Sequence, residues 1–67
     1  MKTDQPAEVG QVTEALAGLQ FRVQLQDGRV IRAHLAGKMK INNIRVLAGD
    51  RVSVIVSGEL GRIVRRL

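Results

Sequence analysis

From Leu19 to Gln26 apolar and polar residues alternate without a break, the period of a strand with one face buried and the other wet. Leu19, Phe21, Val23 and Leu25 are the expected core positions. Asp27-Gly28 follows at once, and both residue types tolerate positive φ, so a tight hairpin is expected there. The returning strand spans residues 29–35, with Ile31, Ala33 and Leu35 on one face and Arg32 and His34 on the other. Upstream, residues 9–16 read as a first strand in which Gly10 marks a bulge or a closely packed bend, and Ala17-Gly18 supplies the turn. Downstream, Leu47-Ala48-Gly49-Asp50 is a second turn signal, and the β-branched run of residues 51–56 makes a fourth strand. Ser57 to Gly61 then reverses the chain into a last short strand, residues 62–66.

Only residues 36–46 break this alternation, and their length suits a loop carrying one helical turn. Five strands with an elaborated link between the third and fourth predict an all-β fold, a small five-stranded barrel of the OB type. An SH3-like barrel has similar periodicity and stays open at this point. Residues 1–7 are expected to be a flexible tail and residues 8–67 a single domain.

At 67 residues, 45% apolar and 25% charged, the chain has the makeup of a small folded domain. It has no cysteine, so neither disulfides nor thiolate-bound metal can staple it, and a reducing cytoplasmic setting is expected. No secretory signal is expected, because the first residues lack an apolar run, and no membrane span, because no stretch approaches ~18 apolar residues.

Charge changes the picture more. Residues 1–27 carry two basic side chains against four acidic ones, a net −2, whereas residues 28–67 carry nine against two, a net +7. Such regional basicity predicts a polyanionic partner, since cations laid on phosphates release condensed counterions. Eight of the eleven basic residues are arginine, which favours bidentate contacts to phosphate over diffuse attraction. Lys38, Lys40 and Arg45 lie on the long link, Arg29, Arg32 and His34 on the third strand, and Arg62, Arg65 and Arg66 on the last, so a binding face is expected to unite them. Met39 is expected to plug the barrel end, with contact to the partner as the alternative.

Catalytic chemistry is not expected. His34 is the only histidine, Ser53, Ser57 and Thr13 lack a nucleophile context, and no phosphate-cradling glycine loop occurs. Asp27 and Asp50 sit where turn aspartates cap the local backbone, which accounts for them. No metal or cofactor is expected. Phe21, the single aromatic, belongs to the core face, so stacking platforms for loose single strands are missing.

Residues 21–28, 33–40, 42–52 and 61–64 resemble bacterial translation initiation factor 1, a likeness covering residues 8–66. Its most specific part is Gly37-Lys38-Met39, followed by Ile44-Arg45 and Gly49-Asp50. The resemblance implies an OB-fold, non-enzymatic cytoplasmic monomer that binds the small ribosomal subunit at the decoding (A) site and cooperates with initiation factors 2 and 3. It implies rRNA contacts from Lys38, Met39, Lys40, Asn42, Asn43 and Arg45, with Arg62 and Arg66 at the carboxyl end, and the placement of the basic residues on the strands adds Arg65, Arg32 and His34 as expected contacts. This chain departs from the family at Asn43 and Arg65, where aromatics are usual, and in the short link 57–60 between the last two strands. A general OB-fold RNA-binding protein, or an RNA chaperone of the cold-shock type, is the alternative reading, and a barrel presenting its basic face to an acidic protein is a third.

Overall fold

The computed structural model describes residues 7–41 and 45–67. The flexible tail expected over residues 1–7 therefore lies almost wholly outside the described residues. Five strands and one short helix follow in the order β1 (Glu8–Leu16), β2 (Gln20–Leu25), β3 (Val30–Leu35), α1 (Gly37–Ile41), β4 (Arg51–Ser57) and β5 (Leu60–Arg66). They close into a barrel in the order β1-β2-β3-β5-β4, with β3 and β5 parallel and every other pair antiparallel. Closure leaves no free sheet edge, which suits a basic surface that must not pair with other strands.

Alternation does what the sequence demands. Phe21, Val23, Leu25, Ile31, Ala33, Leu35, Val52, Val54 and Ile63 fill the interior, while Arg22, Arg32, His34 and Arg62 stand outside. Met39 is only 1% exposed and joins this core from α1, so the plug expectation holds. The helix is a single turn, tied at its start by Met39 N–H and Lys40 N–H to the Ala36 carbonyl at 3.0 and 3.2 Å. Too short to be stable alone, it is held by Met39 and by Val46 just beyond it.

Several expectations are corrected. Leu19 is not a core residue: it lies in the β1–β2 turn in the left-handed region (φ 58°), 54% exposed, because Ala17-Gly18 alone is too short to reverse the chain. The β2–β3 hairpin is a three-residue loop, Gln26-Asp27-Gly28, closed by Leu25 N–H to Arg29 O at 2.7 Å. Only Gly28 takes positive φ (97°), and Asp27 caps the Arg29 N–H instead, at 3.1 Å. The third strand accordingly begins at Val30, and the last begins two residues early, at Leu60.

The bulge in β1 is at Thr13, between Val12 and Glu14, not at Gly10. Thr13 Oγ1 donates to the Arg22 carbonyl at 3.2 Å. Gly10 is the closely packed position: a Cβ there would lie 2.5 Å from Val23 Cγ1 and 3.0 Å from the Gln24 carbonyl oxygen. At Gly61 the nearest atom, 2.7 Å away, is Ile31 Cδ1, the far end of a side chain that can swing. Gly10→Ala is therefore expected to cost about 2–3 kcal/mol and Gly61→Ala clearly less, as denaturant titration of the two variants will measure. Equal costs would contradict this packing.

Candidate nucleic-acid interface

Three ion pairs sort the surface. Arg22 meets Glu14 at 2.7 Å, and Arg29 meets both Glu8 and Asp27, each at 2.7 Å. These are the only ion pairs among the described residues, and they neutralise the side of the barrel where β1, β2 and the hairpin carry the acidic residues. Arg29, expected on the basic face, is thereby withdrawn from it. The Arg29 backbone N–H, then its side chain, holds the Asp27 carboxyl below its ordinary value. A depressed carboxylate contributes stability that is present above its unfolded-state pKa and lost as pH falls through its folded-state value. Acid unfolding profiles should thus show a decline below about pH 4 that is shallower in Asp27→Asn. Superimposable profiles would mean that the hairpin tie adds nothing to stability.

Among the remaining basic side chains, Lys38, Lys40 and Arg45 lie at the barrel end that α1 covers. Because Met39 points inward, its neighbours Lys38 and Lys40 both stand in solvent. Met39 itself is buried between them, only 1% exposed. Lys40 and Arg45 flank a dish of about 420 Å³ whose floor is Phe21, Leu35, Met39 and Val46 and whose rim includes Leu19. The Arg45 segment is anchored by buried Val46 and by the turn after it, where Asp50 Oδ2 accepts the Leu47 N–H at 2.8 Å. Both turn aspartates thus cap the backbone as expected.

On the outer wall, pairing sets the rows. His34 of β3 stands opposite Gln20 of β2 and Arg62 of β5, and Arg62 opposite Ile55 of β4. Arg32 stands one row further from α1, opposite Arg22 and Leu60. His34 and Arg62 also line a shallow groove of about 320 Å³ with Ile55 and Leu60. Arg65 pairs with Ser53 and Arg66 with Val52, after a register shift in which Val64 is the extra residue. Asn42 and Asn43 lie outside the described residues.

The structure thus brings Lys40 and Arg45 together at the dish, with Lys38 exposed on the same helix and the His34–Arg62 row on the adjoining wall. What the sequence reading missed is the part played by irregular backbone. Leu19 reaches the rim of the dish through its positive φ, and Arg66 is set by the Val64 bulge. Neither follows from a two-residue period. Exposed Arg51, opposite Gln11 on the β1–β4 seam, also stood outside the expected cluster. The described residues contain no group of three or more His, Asp or Glu side chains placed to hold a metal ion, and no helix long and apolar enough to cross a membrane.

Comparison with known proteins identifies the barrel. Translation initiation factor IF-1 of Chlamydia trachomatis (serovar D) is 56% identical over 48 residues, which cover 72% of this chain and 66% of that protein. The corresponding factor of Chlamydia pneumoniae is 54% identical over the same length. The match thus spans just under two thirds of the length of these relatives. Among solved structures, translation initiation factor IF-1 from the Wolbachia endosymbiont of Brugia malayi superposes with a TM-score of 0.76 at 39% identity, over 91% of this chain and 76% of that one. YjeQ from Thermotoga maritima superposes with a TM-score of 0.77 at 25% identity over 91% of this chain but only 22% of its own, so the same barrel also occurs within a larger protein. The likeness to the Wolbachia factor settles the barrel as OB-type over the SH3-like alternative. A family model described as translation initiation factor 1A / IF-1 matches residues 1–67, and the chain belongs to that family.

Proposed function

We propose that this protein is a translation initiation factor that binds the small ribosomal subunit at its A (decoding) site through rRNA, and that it cooperates there with initiation factors 2 and 3. It acts as a cytoplasmic monomer by occupying a site, without catalysis and without a cofactor. The observation that carries this reading is the grouping of Lys38, Lys40 and Arg45 around the α1 end of a closed barrel, in a chain of the IF-1 family.

The chemistry follows from the grouping. Lys38 and Lys40 supply mobile point charges for phosphates, and Arg45 and Arg62 supply flat guanidinium groups that engage a phosphate through two N–H donors. His34 and Arg32 extend the contact along β3, with Arg65 and Arg66 at the end of β5. Such a surface reads the shape and backbone of a folded RNA more than its base sequence. Buried Phe21 supports this over an RNA chaperone of the cold-shock type, because the described residues offer no exposed aromatic on which loose bases could stack.

Co-sedimentation with purified small subunits tests the reading. The expected result is stoichiometric binding at low salt that weakens steeply as salt rises and is displaced by a ligand directed to the A site. Binding that such a ligand leaves undisturbed would overturn the placement, and no binding at low salt would overturn the function.

A further inference from the structure

We propose that Arg66 acts on RNA binding as a positioning residue, by tethering the backbone that carries Arg45, and not simply as one more phosphate contact. Its guanidinium Nη1 donates to the Arg45 carbonyl oxygen at 2.9 Å, across 21 residues of sequence. The bulge explains how it gets there. Gly61 and Ile63 of β5 face the interior, and an unbroken strand would turn Arg65 inward next. Val64 is instead the extra residue, so Arg65 pairs with Ser53 while Arg66 pairs with Val52, which is fully buried. Directly opposed residues share a face, so Arg66 takes the inner phase where the barrel ends. An arginine in that phase can meet water only by reaching out over the barrel mouth, and the Arg45 carbonyl lies along that path.

Both ends of the tether are placed to transmit it. Arg66 is fixed by its pairing in β5 and by the following Leu67 N–H, which donates to the Arg51 carbonyl at 2.8 Å. On the other side, Val46 is buried and the Leu47–Asp50 turn is bound to β1 through Gly49 N–H to Val12 O at 2.7 Å. Between α1 and that turn, the bond from Arg66 is the hydrogen bond that holds the Arg45 carbonyl to the barrel wall among the described residues. Arg45 in turn shares the dish with Lys40, so the tether fixes the spacing of two cations that the RNA reading places on phosphates. The effect on binding rests on that reading; the tether itself does not.

A double-mutant cycle on small-subunit binding, with Arg65→Ala as the control for plain loss of charge, separates the two roles. Arg66→Ala is expected to cost at least about threefold more in the unaltered chain than in the Arg45→Ala background, whereas Arg65→Ala costs the same in both. Independently, amide relaxation in the free protein should show Arg45 and Val46 gaining fast motion in Arg66→Ala and not in Arg65→Ala. Equal cost of Arg66→Ala in both backgrounds, or unchanged relaxation at Arg45 and Val46, would overturn the proposal. Failure of the unaltered chain to bind would instead overturn the RNA reading, and the relaxation of the free protein would still decide the tether.

Discussion

Replacing Lys38, Lys40 and Arg45 together by alanine should lower the log–log salt slope of small-subunit binding by about 2–3, because each lost phosphate contact removes roughly 0.7–0.9 of counterion release. Affinity at low salt should fall at least about a hundredfold, while at high salt the variant and the unaltered chain converge. The fold should be untouched, since Lys38, Lys40 and Arg45 are exposed and make none of the ion pairs found among the described residues. The opposite control is Arg22→Ala with Arg29→Ala: Arg22 is already paired with Glu14, and Arg29 with Glu8 and Asp27, so their loss should leave the slope nearly unchanged. If the slope instead drops with the Arg22 and Arg29 pair and survives loss of the α1 cluster, the binding face is elsewhere.

Met39→Ala is expected to be the most damaging single truncation, costing about 2–5 kcal/mol. Met39 is 1% exposed and is the one side chain by which α1 enters the core, so its removal takes away the helix's apolar anchor as well as its own buried volume. In a chain of this size each kcal/mol lowers Tm by about 4–8 °C, so a fall of more than about 10 °C is expected by calorimetry. Met39→Leu, similar in volume, should cost less than about 1.5 kcal/mol. The consequence reaches function: once α1 is unseated, Lys38 and Lys40 lose their fixed distance from Arg45, and binding should weaken even where the barrel remains folded. A small Tm change in Met39→Ala would show that α1 is not what closes that end.

Much of this was legible in the sequence because alternation is a local signal. The inward positions of β2 from Phe21 onward and of β3, the plug at Met39 and the helical turn in residues 36–46 all follow from side-chain period and from its one interruption. The charge asymmetry also survives folding, since Glu8, Glu14 and Asp27 pair with Arg22 and Arg29 while Lys38, Lys40 and Arg45 stand at the α1 end. What stayed hidden depends on departures from the period. Leu19 fits the alternation but belongs to the turn, because reversing the chain after Leu16 takes three residues and Leu19 must adopt positive φ. The bulges at Thr13 and Val64 are set by barrel closure between strands distant in sequence, and no residue type at either position announces them. Arg66 therefore looked like Arg65, one more cation at the end of a strand, until its pairing with Val52 separated them.

If the α1 end of the barrel rests on RNA of the decoding site, chemical probing of small-subunit rRNA with and without the protein will register it. The prediction is that nucleotides of the decoding site become protected at low salt and that the protection disappears with the Lys38, Lys40 and Arg45 triple variant. Binding accompanied by protection only at other places on the subunit would contradict it.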